Sequence, residues 1–151
     1  MRILYIDMLN SGISGDMFLS SLLGLVPDHV EILKKLEDLK NFLSGVSKLE
    51  IGLKLIERNG IELNQINIDL KESKNHRTAK KLRESLNNFL TSFKISGLAK
   101  NYANDVLDSL IKAEAEVHGK QLDWIHLHEL SSVDTLIDII GVTIILDEIN
   151  A

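Results

Sequence analysis

Leu49-Glu50-Ile51-Gly52-Leu53-Lys54-Leu55, then Asn59-Gly60, then Ile61 to Leu70, is the stretch on which the fold turns. Apolar residues at 49, 51, 53 and 55 alternate with Glu50, Gly52 and Lys54, the period of a strand with one buried and one wet face. Asn-Gly is the favoured two-residue hairpin turn, because both of its positions require a positive φ. Ile61 to Leu70 is then the returning strand. Its apolar parity changes between Leu63 and Ile66, which predicts a bulge or break there.

Towards the N-terminus, Ile3 to Ile6 reads as a short strand, followed by the turn Ser11-Gly12-Ile13-Ser14-Gly15-Asp16 and a helical pattern over 17–25. After Pro27, the spacing of Val30, Leu33, Leu36 and Leu39 predicts a second helix to Phe42, stopped by Gly45. Beyond the hairpin, the polar stretch Lys71 to Arg77 is expected to be a mobile loop. Thr78 to Phe93 and Leu98 to His118 are helical, the latter running through Tyr102, Val106, Leu110 and Val117. Trp124 to His128 is a short extended candidate, and Ser131 to Ile149 is a final helix. This order predicts one α+β domain over 1–151, a small mixed sheet of three or four strands with a central hairpin, covered by about five helices.

The 151 residues carry 17 Lys+Arg against 22 Asp+Glu, a formal charge of −5. With signs interleaved, no basic stripe is offered to a nucleic-acid backbone, so nucleic acid is not an expected partner. A single domain of this length buries roughly two thirds of its unfolded surface, enough for a core without staples. The chain has no cysteine, which excludes disulfides, thiolate catalysis and Cys-type metal sites. The most apolar run, Ile139 to Leu146, is bounded by Asp138 and Asp147 and falls far short of the roughly 20 residues of a membrane span. Met1 to Met8 has no signal-peptide pattern, so a cytoplasmic protein is expected.

The strongest chemical signal is His126-Leu127-His128-Glu129, followed by Asp134 and Asp138. In an extended segment, residues two apart face one way, so both imidazoles can address one metal while Ile125 and Leu127 anchor the other face. The ordinary alternative is one histidine packed beside Trp124 and the other exposed. Asp134 and Asp138 lie one helical turn apart. Asp134 is explained as the partner of Ser131 in a capping box. Asp138 has no such explanation: it stands among isoleucines, where an ionised carboxylate is costly unless a cation or strong donors meet it.

A second signal is Asp7 with the glycine turn, where backbone N–H groups of Ser11, Gly12, Ser14 and Gly15 could face an anion at a helix N-terminus. The ordinary reading is a tight turn capped by Ser14, with Asp16 favoured in the first helical turn. Asp7 and Asp16 would repel a bare phosphate and attract a metal or a metal-bound phosphate. Glu114 and His118 fit a surface pair near a helix end. His76, beside Arg77, is a solvated loop residue on its ordinary reading.

Leu4-Tyr5-Ile6-Asp7, Ser11 to Leu19, Ala113 to Gly119, His126 to Leu130, and Val133-Asp134-Thr135 with Ile137 to Gly141 together resemble the N-terminal region of LarC-type nickel-insertion proteins. Five collinear blocks carry the resemblance. It implies insertion of nickel into pyridinium-3,5-bisthiocarboxylic acid mononucleotide, a cytidine-triphosphate-dependent cyclometallation in nickel-pincer cofactor biosynthesis and a lyase-class activity. The implied metal ligands are His126, His128, Asp134 and Asp138, with His76 standing where the family often has a His-rich segment. The catalytic candidates are Asp7, Asp16 and Glu129. Family members continue past the position of Asn150 into a nucleotide-associated domain, so CTP with Mg or Mn is expected to belong there, outside this chain. The expected partners are the pyridinium mononucleotide precursor, a separately encoded C-terminal domain and a second copy of this chain.

Two other classes of function use the same residues: a non-catalytic nickel delivery or interaction module, and a metal-dependent phosphate-ester hydrolase. With imidazole and carboxylate ligands but no thiolate, nickel is expected to be held weakly to moderately. Binding should weaken as pH falls toward 6.

Overall fold

The computed structural model describes residues 3–9, 12–73, 77–122, 125 and 133–150. Among these residues the chain forms α1 (Gly15–Leu23), α2 (His29–Glu37) continued by a 3₁₀ turn (Asp38–Phe42), and the strands β1 (Val46–Arg58) and β2 (Ile61–Glu72). Then come α3 (Ala79–Ser92), α4 (Gly97–His118) and α5 (Val133–Ile149). The α+β class, the hairpin and the five helices agree with the spacing of the sequence.

β1 and β2 pair antiparallel, with Leu49 opposite Leu70, Ile51 opposite Ile68 and Leu53 opposite Ile66 on the face toward the helices. Asn59 and Gly60 take φ of 53° and 78°, the left-handed pair a two-residue turn requires. The expected bulge between Leu63 and Ile66 is not there, and pairing runs unbroken from Leu49–Leu70 to Arg58–Ile61. The irregularity lies instead at the base of the hairpin, where Ser47 is the extra residue between Val46 and Lys48. The parity change has another cause. Leu53 and Ile66 are the last pair packed on the core, and beyond them Leu55 and Ile61 are exposed and Ile56 pairs with Leu63 on the opposite face. The tip projects past the core, so alternation no longer distinguishes two environments there.

The sheet among the described residues is this hairpin alone, not a mixed sheet of three or four strands. Ile3 to Ile6 is not a strand, and Ile3 and Tyr5 are 79% and 85% exposed. Side chains from the helices occupy the outer edges where a third strand would add. The Ile66 N–H on β2 donates to Ser20 Oγ of α1 at 3.0 Å, and the Ile51 N–H on β1 donates to Glu37 Oε1 of α2 at 2.9 Å. Both edges are thereby closed in the middle of the hairpin.

The second helix changes to 3₁₀ geometry after Glu37 rather than staying α-helical to Phe42, and Gly45 follows at φ 86°. Phe42 meets Phe89 of α3 edge-on at 5.5 Å, and Phe89 meets Phe93 at 4.7 Å. Thr78 and Ser96 cap α3 and α4 through their hydroxyls, and Gly119 ends α4 at φ 60°. The stretch Lys71 to Arg77 departs from the expected mobile loop wherever it is described. β2 continues to Glu72, and the Ser73 N–H donates to Gly45 O at 2.8 Å. Arg77, 3% exposed, donates to Glu72 Oε2 at 2.9 Å and to Ser44 O at 3.1 Å. A buried ion pair thus fastens the hairpin base to the start of α3.

On α4 the buried stripe is Ala99, Ala103, Leu107, Ile111 and Ala115. The stripe read from the sequence lies beside it: Tyr102 is exposed, Val106 and Leu110 are half-buried, and Val117 is 80% exposed. Alanines let α4 approach its neighbours closely, which turns the larger side chains toward its flank.

At the centre lies α5, buried along most of its length from Val133 to Ile145 and packed against α1, α2, α3 and α4. Gly141 permits this. A Cβ there would stand 2.6 Å and 3.0 Å from the two methyls of Leu19 on α1 and 3.2 Å from a Leu36 methyl on α2. Both leucines are fully buried and have nowhere to move. Gly141→Val should therefore cost about 2 kcal/mol of stability. Gly97→Ala, whose Cβ would meet nothing within 4 Å, should cost none. Urea midpoints of the two variants check this, and equal midpoints would overturn the packing argument.

Candidate functional site

The start of α1 and the second turn of α5 meet at one point. Ser14 precedes α1 in extended geometry, with φ −126° and ψ 167°, and does not cap it by its side chain. Its hydroxyl donates to the Asp16 carboxylate, so the expected cap by Ser14 is replaced by a pair in which the hydroxyl is the donor. Gly15 comes next, and the Asp138 carboxyl fills the space a side chain would take: a Cβ on Gly15 would stand 2.7 Å from Asp138 Cγ and 3.0 Å from its Cβ. The Cβ of Asp138 is fixed by α5, so the glycine is required by packing.

Asp138 is half-buried beneath this contact. No hydrogen-bond donor and no cation among the described residues acts on its carboxylate. Burial, then Asp16, then Asp134, push its pKa up to about 7. Asp134, one turn earlier, is exposed, as is Asp16. Two acids thus act on Asp138, yet among the described residues no group of three or more His, Asp or Glu side chains could hold a metal. His126, His128 and Glu129, with His76 and Ser11, lie outside the described residues. So does Ser131, the expected capping partner of Asp134. Ile125 is fully buried, and its carbonyl accepts the Ala79 N–H at 3.1 Å. That bond ties the residue before His126 to the start of α3.

Asp7 and Gly12 line a separate cavity of about 280 Å³ together with Met8, Ile13 and Met17. The exposed Asp7 carboxylate accepts the Leu9 N–H at 2.9 Å, and Gly12, at φ 66°, donates its N–H to Met8 O at 3.1 Å. Gly15 lines a different cavity with Asp138. The glycine turn is therefore divided between two hollows, and Phe18 borders both. Glu114 and His118 form the expected pair at 3.3 Å.

Sequence reasoning did not single out Phe18, Thr135 or the Tyr102-Val106-Leu110 stripe as lining Asp138's cavity. The stripe was visible as a second apolar row beside the alanine row of α4. The buried Arg77–Glu72 pair was missed because both residues sit in a polar run that reads as solvated.

Asp138 has a consequence for stability. An ordinary carboxyl titrates near 4 in the unfolded chain, while the folded chain holds this proton up to about 7. The cost of the charge is therefore absent below about pH 4, grows between the two values and is complete above the higher one. Discounted for partial solvent screening, it amounts to about 1–2 kcal/mol. In EDTA-treated protein, Asp138→Asn should raise the urea midpoint at pH 8 and leave it nearly unchanged at pH 4. A difference that does not vary with pH would refute the assignment.

No helix among the described residues is long and apolar enough to cross a membrane. The family profile described as "Nickel insertion protein" matches residues 4–151. The chain is 30% identical over 151 residues to a pyridinium-3,5-bisthiocarboxylic acid mononucleotide nickel insertion protein of Staphylococcus epidermidis, covering 99% of this chain and 35% of that one. It is 31% identical over 152 residues to the protein of the same name from Acetivibrio thermocellus, covering 97% and 36%. A putative nickel insertion protein of Methanocaldococcus jannaschii is 33% identical over 141 residues, covering 93% and 34%. The chain thus spans about a third of the length of these curated relatives. No solved structure matches. Matched over nearly its whole length, this chain belongs to the nickel insertion protein family.

Proposed function

We propose that this chain is the metal-handling part of a cytoplasmic nickel-insertion enzyme that acts on a pyridinium bisthiocarboxylate mononucleotide. The observation that carries the reading is Asp138, a half-buried carboxylate that no cation meets among the described residues, in a chain that belongs to the nickel insertion protein family. A divalent ion bound there would offset the repulsion that Asp16 and Asp134 exert on Asp138. His126 and His128, twelve and ten residues upstream of Asp138 in the sequence, would supply imidazole ligands, with Asp134 and Asp138 as oxygen ligands and His76 as a further donor.

Nickel is the cargo in this reading, so it must be released into the organic ligand. A set of imidazoles and carboxylates suits that task better than thiolates, which would compete with the sulfur atoms of the precursor. The chain has no cysteine to do so. Forming a metal–carbon bond at a ring position expels a proton, and Asp7, Asp16 and Glu129 are the carboxylates proposed to receive it. Backbone N–H groups of Ser11, Gly12, Ser14 and Gly15 are proposed to approach the mononucleotide phosphate. CTP with Mg or Mn is assigned to the region of the longer relatives outside the matched segment, acting as a further domain or a partner chain. A second copy of this chain is a further proposed partner.

Calorimetry with nickel tests the metal assignment. The wild-type chain should bind with a Kd in the micromolar range, since no thiolate contributes. The His126→Ala/His128→Ala double variant should bind at least about tenfold more weakly, a loss of about 1.4 kcal/mol. Equal heats for both proteins would refute the assignment.

A further inference from the structure

Ile3 to Met8, apolar except for Asp7, has the composition of a strand buried on both faces. It runs instead along the surface of α1, with a cavity of about 280 Å³ between the two. Leu4 packs against the core, whereas Ile3, Tyr5 and Leu9 are 79%, 85% and 87% exposed. Around them Ile6, Met8, Ile13, Met17 and Leu25 are exposed as well. Among the described residues, nothing takes the backbone N–H or C=O groups of Ile3 to Asp7. An extended apolar segment with an open edge is a template for another strand. The patch also has the area a dimer needs. At roughly 100 Å² for a fully exposed large side chain, these residues show about 500 Å² of apolar surface. Interfaces are about 57% apolar, so the patch corresponds to an interface of about 900 Å² on each copy. Stable complexes bury roughly 800 Å² per partner.

We infer that Ile3 to Met8 pairs antiparallel, about a two-fold axis, with the same segment of a second copy of this chain. The inference rests on the reading above in taking a second copy as a partner, and it names the surface that copy uses. A two-fold axis demands a patch that complements itself, and in an antiparallel pair it passes between a residue and its own copy. Centring the pair on Asp7 would set two like charges opposite each other, which is destabilising. Centring it on Tyr5 would set Ile3 against Asp7. Centring it on Ile6 sets Ile3 against Leu9, Leu4 against Met8 and Tyr5 against Asp7, so that apolar meets apolar and the Tyr5 hydroxyl stands beside the carboxylate. With Tyr5 and Asp7 as the hydrogen-bonded pairs, the ladder uses backbone groups that have no partner among the described residues. Met8 O, which already accepts the Gly12 N–H, stays outside it.

The chain has no cysteine, so a single introduced thiol reports which residue faces its own copy. In a glutathione redox buffer, Ile6→Cys should form a disulfide-linked dimer, since facing residues at a non-hydrogen-bonded position have Cα atoms about 4.5 Å apart, within disulfide reach. Leu9→Cys, at a more exposed position, should link far more slowly, because it stands roughly 20 Å from its own copy along the ladder. In sedimentation equilibrium the unmodified chain should dimerise with a Kd of about 10 μM or below. Tyr5→Glu, which sets a second carboxylate against Asp7 from a side chain too exposed to support the fold, should raise that Kd at least about tenfold. Leu98→Glu, at an equally exposed position on α4, should leave it unchanged. A chain still monomeric at about 100 μM overturns the inference. So does a dimer that Tyr5→Glu leaves intact, or linking of Leu9→Cys as fast as Ile6→Cys. Amides of Ile3 to Ile6 that gain protection from hydrogen exchange only when the remaining region of the Acetivibrio thermocellus relative is added would assign the strand to that region and overturn it too. Dimerisation without nickel binding would sustain this inference and refute the metal assignment. Nickel binding by a chain that stays monomeric would do the reverse.

Discussion

The closeness with which α1 and α5 cross governs most of the structure, and two glycines, one on each helix, make it possible. Gly141 of α5 leaves room for the Leu19 methyls of α1, and Gly15 of α1 leaves room for the Asp138 carboxyl of α5. A glycine within a helix costs about 1 kcal/mol relative to alanine. That is small beside the roughly 1.5–3 kcal/mol returned by each fully buried aliphatic side chain. The contact permits fully buried Leu19, Leu23, Leu36, Ile137, Ile140 and Ile145 to share one core. The same crossing sets the position of the candidate site, because the residues beside Gly15 and Asp138 are fixed by whatever fixes the helices.

The hairpin depends on the helices in turn. A two-stranded ribbon is marginal by itself in water, and this one is long, with an exposed tip. It is held at its base by the Arg77–Glu72 pair and in its middle by Ser20 and Glu37, each of which accepts a strand-edge N–H. These two bonds also explain why the ribbon gains no further strand at that level. Ser20 is on the helix that Gly15 begins, so the docking of α1 on α5 and the closure of the β2 edge are one event.

The parts of this architecture legible in the sequence are those decided locally. Asn59-Gly60, Thr78, Ser96 and Gly119 carry their conformations in their own chemistry, so the turn and the ends of α3 and α4 could be placed from residue identity. Ile3 to Ile6 has the composition of a strand, but its fate depends on whether a sheet edge is open, which α1 and α2 decide from elsewhere in the chain. The apolar row of α4 was read correctly as helical, but that the adjacent alanine row is the buried one was not legible, since the choice between two adjacent rows depends on how near the neighbouring helices come. Asp138 was legible as an anomaly because charge within an isoleucine run contradicts its surroundings. Its closeness to Gly15 was not, because that contact joins residues more than a hundred positions apart.

Asp138 also shows why such an anomaly can persist. α5 buries ten residues from Val133 to Ile145, and at roughly 1.5–3 kcal/mol for each large aliphatic side chain the helix gains several times more than one strained carboxylate removes. The carboxylate is therefore held rigidly at a position where it has no cation among the described residues. A site of this kind binds better than a flexible one, since the cost of desolvating and orienting the charge is met during folding and does not subtract from ligand affinity. The cavity walls follow the same logic: Phe18 is on α1 and Val142 on α5, so the crossing that exposes the charge also sets the width of the hollow beside it.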